Sequence, residues 1–287
     1  MGFFSNLLNQ SQATACVLPE THAVIRQMVS VLGFDVVSSP DYEARVVPVI
    51  NAAVEYFDQQ IAVIPGPLDI SAAHYMQHPL VHALFSARQD IAHGIGRSTD
   101  VKQSLAFLSG AEQPEAFGLL GVRRLKDSPQ GFCEHTLRTL AATESGARQG
   151  LRTAALMRAV TGFGEHVDKL RHRVQLPRAE WNIENRPDPA SAGGEKGDVV
   201  LASEELQPEK LLNGLLAWLQ RPAEHLRVEG GSGLGGSQAD PARQIETLPG
   251  LRTRDRRRWL VCLVRFPTAE GVAAIHNEER QYRYIRI

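Results

Sequence analysis

The chain has 287 residues, 43 % apolar and 22 % charged, with a formal net charge of −1. So much apolar material excludes a wholly disordered chain, and the near-zero total excludes inferring a polyanion partner from overall charge. The length suits one large domain or two of ordinary size.

The charge is laid down in blocks. Residues 1–119 carry 5 Lys+Arg against 11 Asp+Glu, a net of −6. Residues 120–178 net +6, residues 179–250 net −6, and residues 251–287 net +5. Blocks of alternating sign predict attraction between parts of the chain or between copies of it. The cysteines are Cys16, Cys133 and Cys262, an odd and widely spaced set with no Cys-x-x-Cys. The expectation is a reducing, cytoplasmic setting without disulfides, in a bacterial-type protein. The opening "MGFFSNLLNQ" lacks the basic start and long apolar run of a secretory signal, and no run of 18 apolar residues predicts a transmembrane helix. Phe3, Phe4, Leu7 and Leu8 fall on one face of a two-turn helix, a candidate docking face for a partner or a membrane.

In chain order, the first strong helix follows Ser39 as N-cap and Pro40 at the first turn, with Val47, Ile50, Val54, Phe57 and Ile61 as its buried stripe. Pro65, Gly66 and Pro67 end it. A second helix is predicted from Pro79 to His93, ended by Gly94 and Gly96. A third, shorter one is capped by Ser98 or Thr99. Short apolar runs on either side of Asp127, Ser128, Pro129 and Gly131 predict a hairpin. The longest helical pattern runs from about Glu144 to Val174. Its seam is Leu156, Val160, Phe163, Val167, Leu170 and Val174, alternating four and three apart as in a bundle helix. Residues 185–198, rich in Pro, Gly and charge, read as a linker. A helix from Pro208 follows. "RRWLVCLVRF" reads as a central strand and "RQYRYIRI" as a terminal one. The expected architecture is therefore a mainly α N-terminal domain over 1–184, a helical bundle with a β-hairpin, then the 185–198 linker. A small α+β domain over 199–287 completes it, with a flexible Gly-rich loop at 229–240.

Gly231, Gly233 and Gly236 spell G-x-G-x-x-G, the letters of a dinucleotide-binding loop. Such a loop needs a helix directly after it to hold the pyrophosphate. "SQADPARQIETLPG" provides at most two turns and no apolar stripe, so no cofactor is expected. His74, His78 and His82 recur four apart and are the candidate metal ligands, since three imidazoles on one helical face can bind zinc. Pro79 opposes a continuous helix through them. Cys133 and His135, flanking Glu134, would face one side of a strand as a nucleophile–base pair lacking a third, orienting group. Glu165 and His166 read as surface. Arg252, Arg254, Arg256, Arg257 and Arg258, with Tyr282 and Tyr284 on the terminal strand, are the candidate anion- or nucleic-acid-binding residues: arginine holds phosphate and tyrosine stacks on bases. An acidic protein surface would satisfy the same arginines.

No complete catalytic motif emerges. The reading is an adapter or regulatory accessory protein that binds another protein or its own copies, with Phe163 on the long seam and the apolar N-terminus as candidate protein-binding residues. A nucleic-acid-associated factor using the Arg/Tyr-rich C-terminal strands is the first alternative, and a metal-dependent enzyme using the clustered histidines the second.

Overall fold

The computed structural model describes residues 24, 25, 27, 28, 41–123, 134–183, 204–231, 245, 247–253 and 258–283, with side chains up to 175 in the long helix and up to 280 in the last one. In chain order the elements are helix α1 (Tyr42–Ala62), strand β1 (Leu68–Asp69), helices α2 (Pro79–Leu84), α3 (Arg88–Arg97) and α4 (Thr99–Gly110), strands β2 (Glu115–Arg123) and β3 (Glu134–Ala141), and helix α5 (Glu144–Ile183). There follow helix α6 (Pro208–Leu219), strands β4 (Leu226–Glu229), β5 (Gly250–Thr253) and β6 (Arg258–Pro267), and helix α7 (Thr268–Arg283). No helix among the described residues is long and apolar enough to cross a membrane.

The chain divides into two compact units, one of residues 1–55 and 156–222, the other of residues 56–155 and 223–287. The described part of the first unit is helical. Its seam is the one the periodicity predicts: Leu156, Val160, Phe163, Val167, Leu170 and Val174 are all buried. Leu211, Leu212, Leu215 and Leu219 of α6 are buried as well. Phe163 meets the Trp218 ring edge-on at 5.7 Å, and a Cβ placed on Gly214 would lie 3.5 Å from it. The Trp218 indole donates to the Ala159 carbonyl at 3.0 Å, which fixes the ring.

The second unit is built on a six-stranded sheet ordered β3-β2-β6-β5-β4, with β1 also pairing β6. All pairings are antiparallel except β1 with β6. One sheet thus draws strands from both sides of residues 185–198. Strand β6 is central, and alternate residues serve opposite faces. Cys262, Val264 and Phe266 join a core cluster with Leu120 and Val122 of β2, Leu80 and Leu84 of α2, Ile91 and Ile95 of α3, and Leu105 of α4. Each such side chain, fully buried, contributes about 1.5–3 kcal/mol relative to exposure. Burial pushes the Cys262 thiol up to about 12. On the outer edge of the sheet the Val228 amide donates to the Gln60 side chain at 2.9 Å, so an α1 residue takes the place of a further strand at that point.

Two predicted elements differ. The helix expected over Pro79–His93 is two helices, because Phe85 and Ala87 are extended. The backbone groups freed by that break are used. The Tyr75 hydroxyl donates to the Ser86 carbonyl at 3.1 Å, and the Ala87 amide donates to the Asp90 carboxylate at 2.8 Å, starting α3. Gly94 and Gly96 lie inside α3 instead of ending it. Of the expected terminal strand, residues 280–283 belong to α7, so Tyr282 sits on a helix, and residues 284–287 lie outside the described residues. Gly271, Ala274 and Glu278 lie three and four apart, the spacing of one helical face. Tyr284 lies outside the described residues.

Candidate interaction surface and charged clusters

Strand register assembles a feature that linear spacing hides. Arg227 of β4 lies opposite Arg252 of β5, and Arg252 lies opposite Arg258 of β6. Residues opposite one another in an antiparallel ladder share a face, so three arginines form a row across three strands. At the usual strand spacing the row spans about 10 Å between its outer Cα atoms. Along β6, Arg258 precedes Leu260, Cys262 and Val264 on the same face, so the row continues the core face at the point where the core ends. The Arg227 and Arg252 side chains keep 62 % and 53 % of their surface exposed, and Arg258 is exposed too. The Arg258 side chain lies across Gly250, where a Cβ would collide with its Nε. Like charges set opposite one another destabilise a sheet. One carboxylate relieves part of that cost: Glu229 stands 3.6 Å from Arg227 and 3.7 Å from Arg252. The four residues joining β5 to β6 are Arg254, Asp255, Arg256 and Arg257; they lie outside the described residues.

A second charged cluster has the opposite character. Glu278 of α7 is buried, with 3 % of its side chain exposed. Its carboxylate pairs with His93 Nδ1 and stands 3.5 Å from Arg97 Nε, both from α3. Burial alone pushes this carboxyl up. The hydrogen bond from His93 and the positive charges of Arg97 and His93 outweigh it, and the net direction is below the usual glutamate range. Gly96 makes the cluster possible: a Cβ there would lie 2.7 Å from both the Ala274 carbonyl oxygen and Glu278 Cγ.

The other sequence candidates fall as follows. His74, in a turn, has Nδ1 2.9 Å from Ser71 Oγ and 3.3 Å from Asp69 Oδ2. His78 is the extended residue before α2, and His82 stacks on Tyr75 at 5.1 Å. Among the described residues no group of three or more His, Cys, Asp or Glu side chains is arranged to hold a metal ion. Cys133 is outside the described residues. Glu134 pairs with Arg123 at 2.5 Å, and His135 donates Nε2–H to the Leu84 carbonyl at 2.7 Å while stacking on Phe85. Glu165 pairs with Arg158 at 3.0 Å, and His166 stacks on Trp218 at 6.0 Å. Phe163, 4 % exposed, packs against Trp218 and Gly214. Phe3, Phe4, Leu7 and Leu8 lie outside the described residues.

Gly231 is described, at φ +95°, a conformation that favours glycine. Gly233 and Gly236 are not. The strands flanking this segment are antiparallel neighbours, with Glu229 opposite Gly250. A dinucleotide loop connects parallel strands through a helix, so the ladder here has the wrong sense for that motif.

Spacing along the chain had no means of finding Arg227, which lies 25 residues before its partner Arg252. Glu278 was hidden by the strand reading of the residues just after it. The chain matches no known family model, and neither a curated protein nor a solved structure resembles it.

Proposed function

We propose that the protein acts by contact, as a cytoplasmic adapter or regulatory accessory protein whose arginine row meets an acidic surface on another protein or on a second copy. The observation that carries this reading is the register of Arg227, Arg252 and Arg258. Three exposed guanidinium groups aligned across a sheet cost stability in isolation, and a carboxylate-rich partner offsets that cost with charge-assisted, two-pronged hydrogen bonds. The acidic blocks at 1–119 and 179–250 make a second copy an electrostatically suitable partner.

Nucleic acid is the second reading, favoured by the purely arginine character of the row and by Arg254, Arg256 and Arg257 in the adjoining connection. One titration separates the two. Fluorescence anisotropy with labelled poly-glutamate and with a labelled single-stranded oligonucleotide is run against salt, alongside sedimentation of the protein alone. Preference for poly-glutamate, or self-association that weakens with salt, supports the protein reading. Preference for the oligonucleotide, with three phosphate contacts giving a log–log salt slope of about −2, supports the nucleic-acid reading. Equal behaviour of the wild type and the Arg227→Ala/Arg252→Ala/Arg258→Ala variant in every arm overturns both.

A further inference from the structure

Glu229 marks the place where the arginines of the row converge. Its Oε1 stands 3.6 Å from Arg227 Nε and 3.7 Å from a terminal nitrogen of Arg252, so two guanidinium groups flank one oxygen. Gly250 faces Glu229 directly across the ladder. The third guanidinium comes to this same place. The Arg258 side chain lies over Gly250, with Cζ 3.2 Å from where a Cβ would stand. Facing Cβ positions in an antiparallel pair are about 4.5–5.5 Å apart. Because Gly250 has no side chain, the Arg258 guanidinium takes the position that faces Glu229.

The carboxylate already there does not satisfy the groups around it. Charge-assisted N–H···O bonds are about 2.7–2.9 Å long, and both contacts to Glu229 are longer than that. Among the described residues the Arg258 side chain makes no ion pair. Three cations and one carboxylate leave an excess of two positive charges. A partner carboxylate brings one negative charge and two oxygens. A phosphate monoester brings about 1.5 to 2 negative charges at neutral pH and three acceptor oxygens. It matches the excess in charge and offers one oxygen to each guanidinium. The phosphodiester of a nucleic acid carries a single charge and matches it less well.

We infer that the group held here is the phosphate of a phosphorylated serine or threonine on a partner protein. The inference rests on the acidic-partner reading of the arginine row and narrows it to one chemical group. The phosphate displaces the Glu229 carboxylate from between Arg227 and Arg252 and takes Arg258 as its third donor. Glu229 fills the place when no partner is bound.

Fluorescence anisotropy on the full chain tests this with a labelled glycine-alanine peptide carrying one phosphoserine. The same peptide with glutamate or serine at that position, poly-glutamate and a single-stranded oligonucleotide are the comparisons, all at one salt concentration. The phosphoserine peptide is expected to bind more tightly than its glutamate and serine forms by about tenfold or more. Glu229→Gln tightens phosphoserine binding, because it removes the competing charge. Gly250→Ala weakens it about tenfold, because the new methyl group displaces the Arg258 side chain. That substitution leaves the net charge as it was, so poly-glutamate binding changes by less than about twofold. Arg258 is exposed, so Arg258→Gln reports on the same site if Gly250→Ala fails to fold. Equal affinity for the phosphoserine and glutamate peptides overturns the inference and leaves the acidic-partner reading to stand on poly-glutamate. Phosphoserine binding that Arg258→Gln leaves unchanged overturns it too, as does the absence of such binding at millimolar concentration. Tighter binding of the oligonucleotide than of the phosphoserine peptide overturns it in favour of nucleic acid.

Discussion

Two charged groups in one unit show opposite solutions to the same problem. Between α3 and α7, a single carboxylate is taken out of water and given two cationic partners, so its desolvation is repaid locally. Across β4, β5 and β6, three cations stay in water, and one carboxylate, Glu229, serves two of them. The first arrangement is closed: its charges meet one another. The second is open: among the described residues its positive charges outnumber the carboxylates that meet them. The buried cluster is tied to the packing of α3 on α7, and the exposed row is the feature on which the proposed contact role rests.

The largest effect expected from this contrast is on stability at the closed cluster. Glu278→Ala removes the buried carboxylate and leaves Arg97 and His93 to rehydrate, which their partial exposure permits. The expected loss is about 2 to 3 kcal/mol, read as a lower urea midpoint at unchanged slope. Gly96→Ala follows, at about 1 to 2 kcal/mol, because the new methyl group presses on the Ala274 backbone and forces α3 and α7 apart.

Acid sharpens the comparison. The folded-state value of Glu278 lies below its unfolded value, so its contribution is fully present above the ordinary glutamate range of about 4.3. That contribution is lost as pH falls from there through the lowered folded value. The stability gap between the wild type and Glu278→Gln is therefore expected to close below that range, as followed by denaturant melts at stepped pH. A gap that widens in acid would contradict the direction assigned to this carboxyl.

The smallest effect belongs to the open row. Arg252→Ala is expected to shift stability by no more than about 0.5 kcal/mol, with gain as plausible a sign as loss, since it removes like-charge neighbours. If Arg252→Ala instead destabilises as much as Glu278→Ala, the row is a structural device and the contrast fails.

Where contacts are local, the sequence was readable. The α1 stripe and its stop at Pro65 and Gly66 follow from periodicity and backbone sterics, and Val47, Ile50, Val54, Phe57 and Ile61 are all buried as that periodicity requires. Ser98 accepts from the Val101 amide at 3.5 Å, in the capping position its side chain suggests. The strand character of Trp259–Val264 was legible because both faces are apolar. The break at Phe85–Ala87 was not, because a distant Tyr75 hydroxyl helps to satisfy it. Nor was Gly96, which reads as a helix terminator until the close passage of α7 gives it a reason to sit mid-helix. The site residues divide along the same line. Arg252 and Arg258 stood out by composition, while Arg227 acquires its meaning only from pairing, and pairing is a long-range property.

The thiol of Cys262, sealed in the middle of the sheet and kept protonated, has a practical consequence. An alkylating reagent reaches it only when the strands separate, so in a chain whose other two cysteines are replaced by serine its labelling rate becomes a clock for opening of the sheet. Any ligand that binds only the closed sheet would slow that clock, the more so the tighter it binds.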